Sequence, residues 1–134
     1  MANFTLSVVA PDRTVFEGEV KNAVVPAVLG YLGIWAGHEP SLVALKAGLI
    51  HYTDSNGQDH WISVGGGFLE TSGAGVIVLA QDVTLSGEVD LTSAEATLEE
   101  ARRTLRGEST GMTLQEAMAE YEKALARREL AVRK

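Results

Sequence analysis

Twelve of the fourteen glycines and all three prolines in this chain of 134 residues precede Glu88. Glycine and proline interrupt helices and mark turns, so they force the first 87 residues into short extended segments and leave the remainder free to be helical. Within the first part, Phe4-Thr5-Leu6-Ser7-Val8 alternates with period two until Pro11-Asp12 stops it. Val15 to Val20 and Asn22 to Ala27 read as two further strands, with Pro26 at an edge or a strand end. Leu49 to Thr53 and His60 to Val64 flank Asn56-Gly57, which predicts a hairpin closed by a two-residue type I′ turn. Phe68 to Thr71 and Val76 to Ala80 predict a second hairpin around Gly73-Ala74-Gly75. Gly65-Gly66-Gly67 opens a strand and marks a bulge or a close backbone approach. Strands of this length and spacing predict an antiparallel β-sandwich over residues 1–87.

After Glu88 the period changes. Thr92-Ser93-Ala94-Glu95 and Thr113-Leu114-Gln115-Glu116 both fit the capping-box pattern of a helix start. Leu91, Ala94, Leu98, Ala101 and Leu105 line one face of a first helix, and Leu114, Ala117, Met118, Tyr121 and Leu125 one face of a second. Gly107-Glu108-Ser109-Thr110-Gly111 separates them, so residues 88–134 read as an antiparallel two-helix hairpin. The fold class is mainly β plus α. The helical seam is rich in alanine, which buries little area at roughly 25 cal/mol per Å². A hairpin held by so little apolar surface can detach, and the same residues fit a permanently docked structural hairpin equally well.

Composition narrows the chemistry. With no cysteine there is no disulfide, thiolate metal site or cysteine nucleophile. A net charge of −7 argues against general nucleic-acid binding. No apolar run reaches the length of a membrane span, and Met1-Ala2-Asn3-Phe4 lacks a signal-peptide layout, so a cytoplasmic protein is expected. Lys123, Arg127, Arg128, Arg133 and Lys134 crowd the end of an otherwise acidic chain, which on charge alone fits a solvated helix face with the usual cationic bias at a C-terminus better than a basic tip that meets an acidic partner. An Asn56-Gly57 turn would place His51 and His60 diagonally on one face, roughly 7–8 Å apart, with no third ligand beside them. His38, in the loop Gly33-Ile34-Trp35-Ala36-Gly37-His38-Glu39-Pro40, has no second group that must lie near it, because Glu39 points away in an extended segment. It reads as a loop-shaping or interface residue. The chain has no Gly-x-Ser-x-Gly elbow and no phosphate-loop motif. The competing readings are a small metal-dependent hydrolase using His38, His51 and His60, and a free-standing ATP sensor or adaptor.

The order of motifs resembles the epsilon subunit of bacterial F-type ATP synthases, with the plastid epsilon and mitochondrial delta subunits as relatives. The residues that carry it are Val9-Ala10-Pro11-Asp12-Arg13, Phe16-Glu17-Gly18-Glu19-Val20, Val25-Pro26, Gly33 to Pro40 with Leu42, Leu45 and Gly48, Gly66-Gly67-Phe68, and Val76-Ile77-Val78-Leu79-Ala80. The resemblance implies a rotor part of the central stalk with no active site of its own, coupling proton or sodium flow to ATP synthesis. It implies a sandwich that holds the gamma subunit and rests on the c-subunit ring, through Leu29, Tyr31, Leu32, Trp35, His38 and Glu39. It implies a hairpin that folds beside the sandwich or extends toward the alpha and beta subunits of the catalytic head, where it blocks ATP hydrolysis; Lys123, Arg127 and Arg128 are its expected contacts. No cofactor is implied beyond ATP, as a weakly bound regulatory ligand at Asp90, Lys123 and Arg127. Relatives that bind ATP carry an arginine where this chain has Ser93, a loss that weakens binding. The family commonly has Leu-Pro at Trp35-Ala36 and often an acidic residue near Tyr31-Leu32, so the ring contact is expected to be more apolar here. The implied location is peripheral, on the cytoplasmic face of a bacterial plasma membrane or, alternatively, the stromal side of the thylakoid.

Overall fold

The computed structural model describes residues 2–107 and 111–133. Seven strands come first: β1 (Phe4–Ala10), β2 (Arg13–Ala27), β3 (Gly30–Ile34), β4 (Ser41–Asp54), β5 (Asp59–Ser72), β6 (Gly75–Ala80) and β7 (Thr84–Leu85). One 3-10 turn (Ser86–Glu88) leads into α1 (Leu91–Leu105) and α2 (Leu114–Arg133). Strand order is β1-β6-β5-β4-β2-β3, with β7 on β5. The first half of β2 also pairs with β1, and its second half pairs with β3 and β4, so the sheet closes on itself. The sandwich is therefore a flattened, closed barrel with β3 at a free edge. All pairs are antiparallel except β1 with β6, which corrects the purely antiparallel expectation. No hairpin links those two strands, so no turn dictates their relative direction.

Long strands bend to serve both layers. Val20 points inward on β2, and so do Ala23 and Val25, a change of parity across the register irregularity between Val20 and Asn22. The two strands read around Lys21 are thus one. On β5, Ile62 and Val64 face the core, then Leu69 and Thr71 do, and the switch falls at Gly65-Gly66-Gly67. A Cβ on Gly67 would lie 2.0 Å from the Leu79 carbonyl oxygen, and its φ of +143° is a left-handed value. The run marks a close approach as expected, but in mid-strand and not at a strand start. The β3 strand, in a segment read as loop, carries too few alternating residues to be recognised by period.

The β4–β5 turn differs from the type I′ expectation. That turn needs a left-handed residue at both central positions, and Asn56 is not among the residues with positive φ. Instead Gly57 N–H donates to the Asp54 carbonyl at 3.0 Å, Asp54 N–H donates to the Gln58 carbonyl at 2.8 Å, and Gly57 alone is left-handed at +85°. Asp54 Oδ1 accepts from Asn56 N–H and Gln58 N–H, each at 2.9 Å, which fixes the loop. The register becomes Tyr52 opposite His60 and His51 opposite Trp61. His51 and His60 therefore lie on opposite faces, not one.

The first helix is capped two residues earlier than its apparent capping box implies. Asp90 is the N-cap, its Oδ2 accepting from Ser93 N–H at 3.0 Å. Val89 just before it is buried with Ala94, the two positions of a hydrophobic staple. The second helix does use its box: Thr113 Oγ1 accepts from Glu116 N–H and Glu116 Oε1 from Thr113 N–H. Leu98, Ala101 and Ala124 form the seam between the helices, joined by Tyr121 and Leu125, an antiparallel match. Residues Glu108 to Thr110 of the connection lie outside the described residues. The hairpin is docked: α2 packs on β4 and β5, where Leu130 and Ala131 meet Leu49 and Trp61. Among the described residues no helix is long and apolar enough to cross a membrane.

Candidate functional site

The docked hairpin covers the outer face of one layer. On the outer face of the other, β4, β5 and β6 present Leu42, Phe68, Ile77 and Leu79, all exposed. Register brings Phe68 beside Leu79 and Ala44, with Leu42, Glu70 and Ile77 forming the next row. Alternation along a strand normally puts polar residues on a solvated face. Here four large apolar side chains replace them, with Phe68 at 55% and Leu79 at 56% exposure. A contiguous apolar patch of this kind marks a surface meant to be covered. Sequence reading missed it because Phe68 and Val76 to Ala80 look like core in an unbroken apolar run. Only the parity switch at the glycines turns Phe68 outward.

The second surface is the β2–β3 turn and the loop after β3. Val28, Leu29, Tyr31 and Trp35 are exposed, Leu29 completely. From Val28 to Gly37 there is no charged residue. Leu32, expected at an interface, is half-buried and packs in part against the sandwich core. Trp35 folds back so that its ring fills the space a side chain at Gly33 would need. His38 is half-buried, with Nδ1 3.1 Å from the Glu39 carbonyl oxygen, which also accepts from the buried Thr71 hydroxyl at 2.6 Å. Glu39 itself is exposed, and Trp35 and His38 line an open cleft of about 400 Å³ with Thr5, Glu19 and Ser72.

On the hairpin, Asp90 caps α1, Lys123 reaches Asp82 of the sandwich at 3.0 Å, and Arg128 pairs with Glu95 at 3.9 Å. Arg127 is half-buried. Of the residues expected to hold ATP, Asp90 and Lys123 each have a partner of their own. The Lys123 ammonium is held above its usual pKa, first by the hydrogen bond to Asp82.

The histidines are separately paired. His51 Nε2 lies 3.1 Å from Asp59 Oδ1 and its ring stacks on Trp61; His60 Nε2 lies 2.9 Å from Asp54 Oδ2 and its ring stacks on Tyr52. Asp59 is held below the ordinary carboxylate pKa by Thr53 and then His51, and Asp54 by His60 and then the Gln58 amide. These pairs brace the two faces of the β4–β5 hairpin beside its turn. Among the described residues no three His, Asp or Glu side chains gather as metal ligands.

Comparison with known proteins gives a consistent picture. Residues 3–86 match the sequence model of the ATP synthase, Delta/Epsilon chain, beta-sandwich domain. The chain is 33% identical over 127 residues to the ATP synthase epsilon chain of Moorella thermoacetica, covering 95% of each. It is 36% identical over 123 residues to that of Dichelobacter nodosus, covering 90% of this chain and 83% of the relative. Among solved structures it resembles a chain of the Euglena gracilis mitochondrial ATP synthase (OSCP/F1/c-ring) with a TM-score of 0.79 at 22% identity, covering 93% of this chain and 80% of that one. A chain of the Tetrahymena thermophila central stalk and c-ring gives 0.61 at 12% identity, with 98% and 96% covered. The sandwich, its exposed apolar faces and the docked helical hairpin thus belong to a chain of the ATP synthase delta/epsilon family.

Proposed function

We propose that this chain, an epsilon-type subunit of ATP synthase, is a non-catalytic rotor part that attaches through two surfaces of its sandwich. The outer face of Leu42, Phe68, Ile77 and Leu79 seats the gamma subunit, and the uncharged Val28–Trp35 turn rests on the c-ring. The single observation that carries this is the apolar outer face, left open while the hairpin covers the other layer. The segment from Val28 to Gly37 carries no charge, so its contact with the ring is largely insensitive to salt. Through these contacts the protein sits peripherally at the membrane, on the cytoplasmic face of a bacterial cell. The hairpin acts as a regulatory arm that reaches the alpha and beta subunits when it leaves the sandwich. Arg127 and Arg128 then meet acidic surface on the head.

The test is recovery of this chain with gamma from a reconstituted complex. Replacing Phe68 and Leu79 together by glutamate should lower recovery roughly 30-fold or more, the scale of losing a buried hot spot worth about 2 kcal/mol. Both side chains point to solvent, so circular dichroism of the isolated chain should be unchanged. Undiminished recovery of a folded double variant would remove this face from the interface.

A further inference from the structure

We propose that Asp82 and Lys123 form an ion-pair catch holding the helical hairpin against the sandwich, presented by a corner that the Gly65–Gly67 run makes possible. Asp82 stands two residues beyond β6 with φ at +50°, and among the described residues it alone, glycines aside, has positive φ. A side chain with a Cβ pays for that conformation, and aspartate is one of the few types that tolerate it. The corner is pinned on both sides: Gly65 N–H donates to the Gln81 carbonyl at 2.7 Å and Gln81 N–H donates to the Gly66 carbonyl at 3.0 Å. A Cβ on Gly65 would come within 2.8 Å of both Cβ and Oδ2 of Asp82, so any larger residue there would push the corner away. Strain retained at a corner built this tightly, with a carboxylate at its apex, points to a task for the carboxylate.

That task is on α2. Lys123 Nζ lies 3.0 Å from Asp82 Oδ2 and 3.5 Å from Glu120 Oε1, with 23% of the lysine side chain exposed. Arg102 and Arg106 pair with Glu99, and Arg128 with Glu95 and Glu129, all within the hairpin, while Arg133 reaches the sandwich only as a cation over the Trp61 ring, 5.5 Å from its centre. Lys123 instead crosses to a carboxylate of the sandwich. An acidic surface or an anionic ligand that takes Lys123 competes directly with Asp82. The docked and the released hairpin therefore share one cation. The regulatory consequence rests on the reading of the hairpin as a mobile arm, but the catch is testable on the isolated chain. Its failure is thus distinct from failure to join a rotor.

The absence of cysteine permits a clean assay. A single thiol placed by Ala131→Cys lies under α2 beside Leu49 and Trp61, and one placed by Val78→Cys lies in the sandwich core. The labelling rate by an aromatic disulfide reagent follows how often each site opens. Asp82→Asn keeps a residue that tolerates the left-handed corner and removes its charge. It should speed labelling of the Ala131→Cys thiol about two- to five-fold, as should Lys123→Met, the range for a partly exposed pair. The double variant should be no faster than either single one, because only one interaction is lost. Salt at about 1 M should speed the parent and leave the variants unchanged. No acceleration in either single variant, effects that multiply in the double variant, or equal acceleration at the Val78→Cys thiol would overturn the catch.

Discussion

Arg13 and Glu88 show what a single pair of residues can fix. The guanidinium donates twice, Nη1 to Oε2 and Nη2 to Oε1, each at 2.8 Å, and Glu88 Oε1 also accepts from Leu85 N–H at 2.9 Å. This joins the β1–β2 turn to the 3-10 turn that precedes the hairpin. The Arg13 hydrogen bond, followed by the Leu85 amide, draws the Glu88 pKa from 4.5 down to about 2. A depressed carboxylate stabilises the fold above its unfolded pKa, and that contribution is lost as the pH falls through the folded value. Arg13→Gln should thus lower the urea midpoint at neutral pH, with the difference from the parent shrinking between pH 4.5 and about 2. Midpoints that stay parallel over that window would contradict the assignment. Neither the pair nor its partner Leu85 was legible in the sequence, because 75 residues separate the two charges. The Asp90 cap was half legible: Asp90, Thr92 and Ser93 all suit a helix start, and what selects Asp90 is the burial of Val89 against the sandwich, a tertiary fact.

At the level of elements, strands that keep one parity were easy to read and strands that change it were not. β1 and β6 alternate throughout, and their expected ranges stand close to the observed ones. β2, β4 and β5 flip faces at a bend, so an outward Phe68 and an inward Leu69 could not be assigned from period alone. Helices were legible in type and approximate extent from their three-four spacing, but of the faces read from it Leu91, Leu114 and Met118 are exposed and the burial falls mainly on alanines and leucines. Their ligand chemistry was not legible. Asp90 is engaged at a cap and Lys123 with Asp82, so two of the residues expected to hold ATP already have partners of their own. We therefore expect titration calorimetry with ATP to give little or no saturable heat for the natural chain. Ser93→Arg, on an exposed position of the first turn, should tighten binding through one charge-assisted bond worth roughly 1.5–3 kcal/mol. Tight binding by the natural chain, unaffected by Ser93→Arg, would refute this account.

Strands give way to helices close to where the composition changes, and where a cut falls there matters to the residue. A chain ending at Gly87 loses the Glu88 partner of Arg13 and the Val89 side chain that covers Leu49, whereas one ending at Val89 keeps both. Both should fold, since the sandwich core is self-contained, but the longer should melt at the higher temperature by circular dichroism. In a reconstituted complex neither should inhibit ATP hydrolysis, while the full chain should. Full inhibition by the chain ending at Val89 would exclude the hairpin as the inhibitory arm. The closed path of β2 carries a further consequence. Its 15 residues bond to β1 at one end and to β3 and β4 at the other, so the two layers share a strand. Sliding one layer over the other would have to shear that strand's hydrogen bonds together; it could not peel them off one at a time. A body built this way resists twisting between its two exposed apolar surfaces. Placed between a turning ring and a turning shaft, it would pass torque across with little elastic wind-up in itself, leaving compliance to the parts on either side.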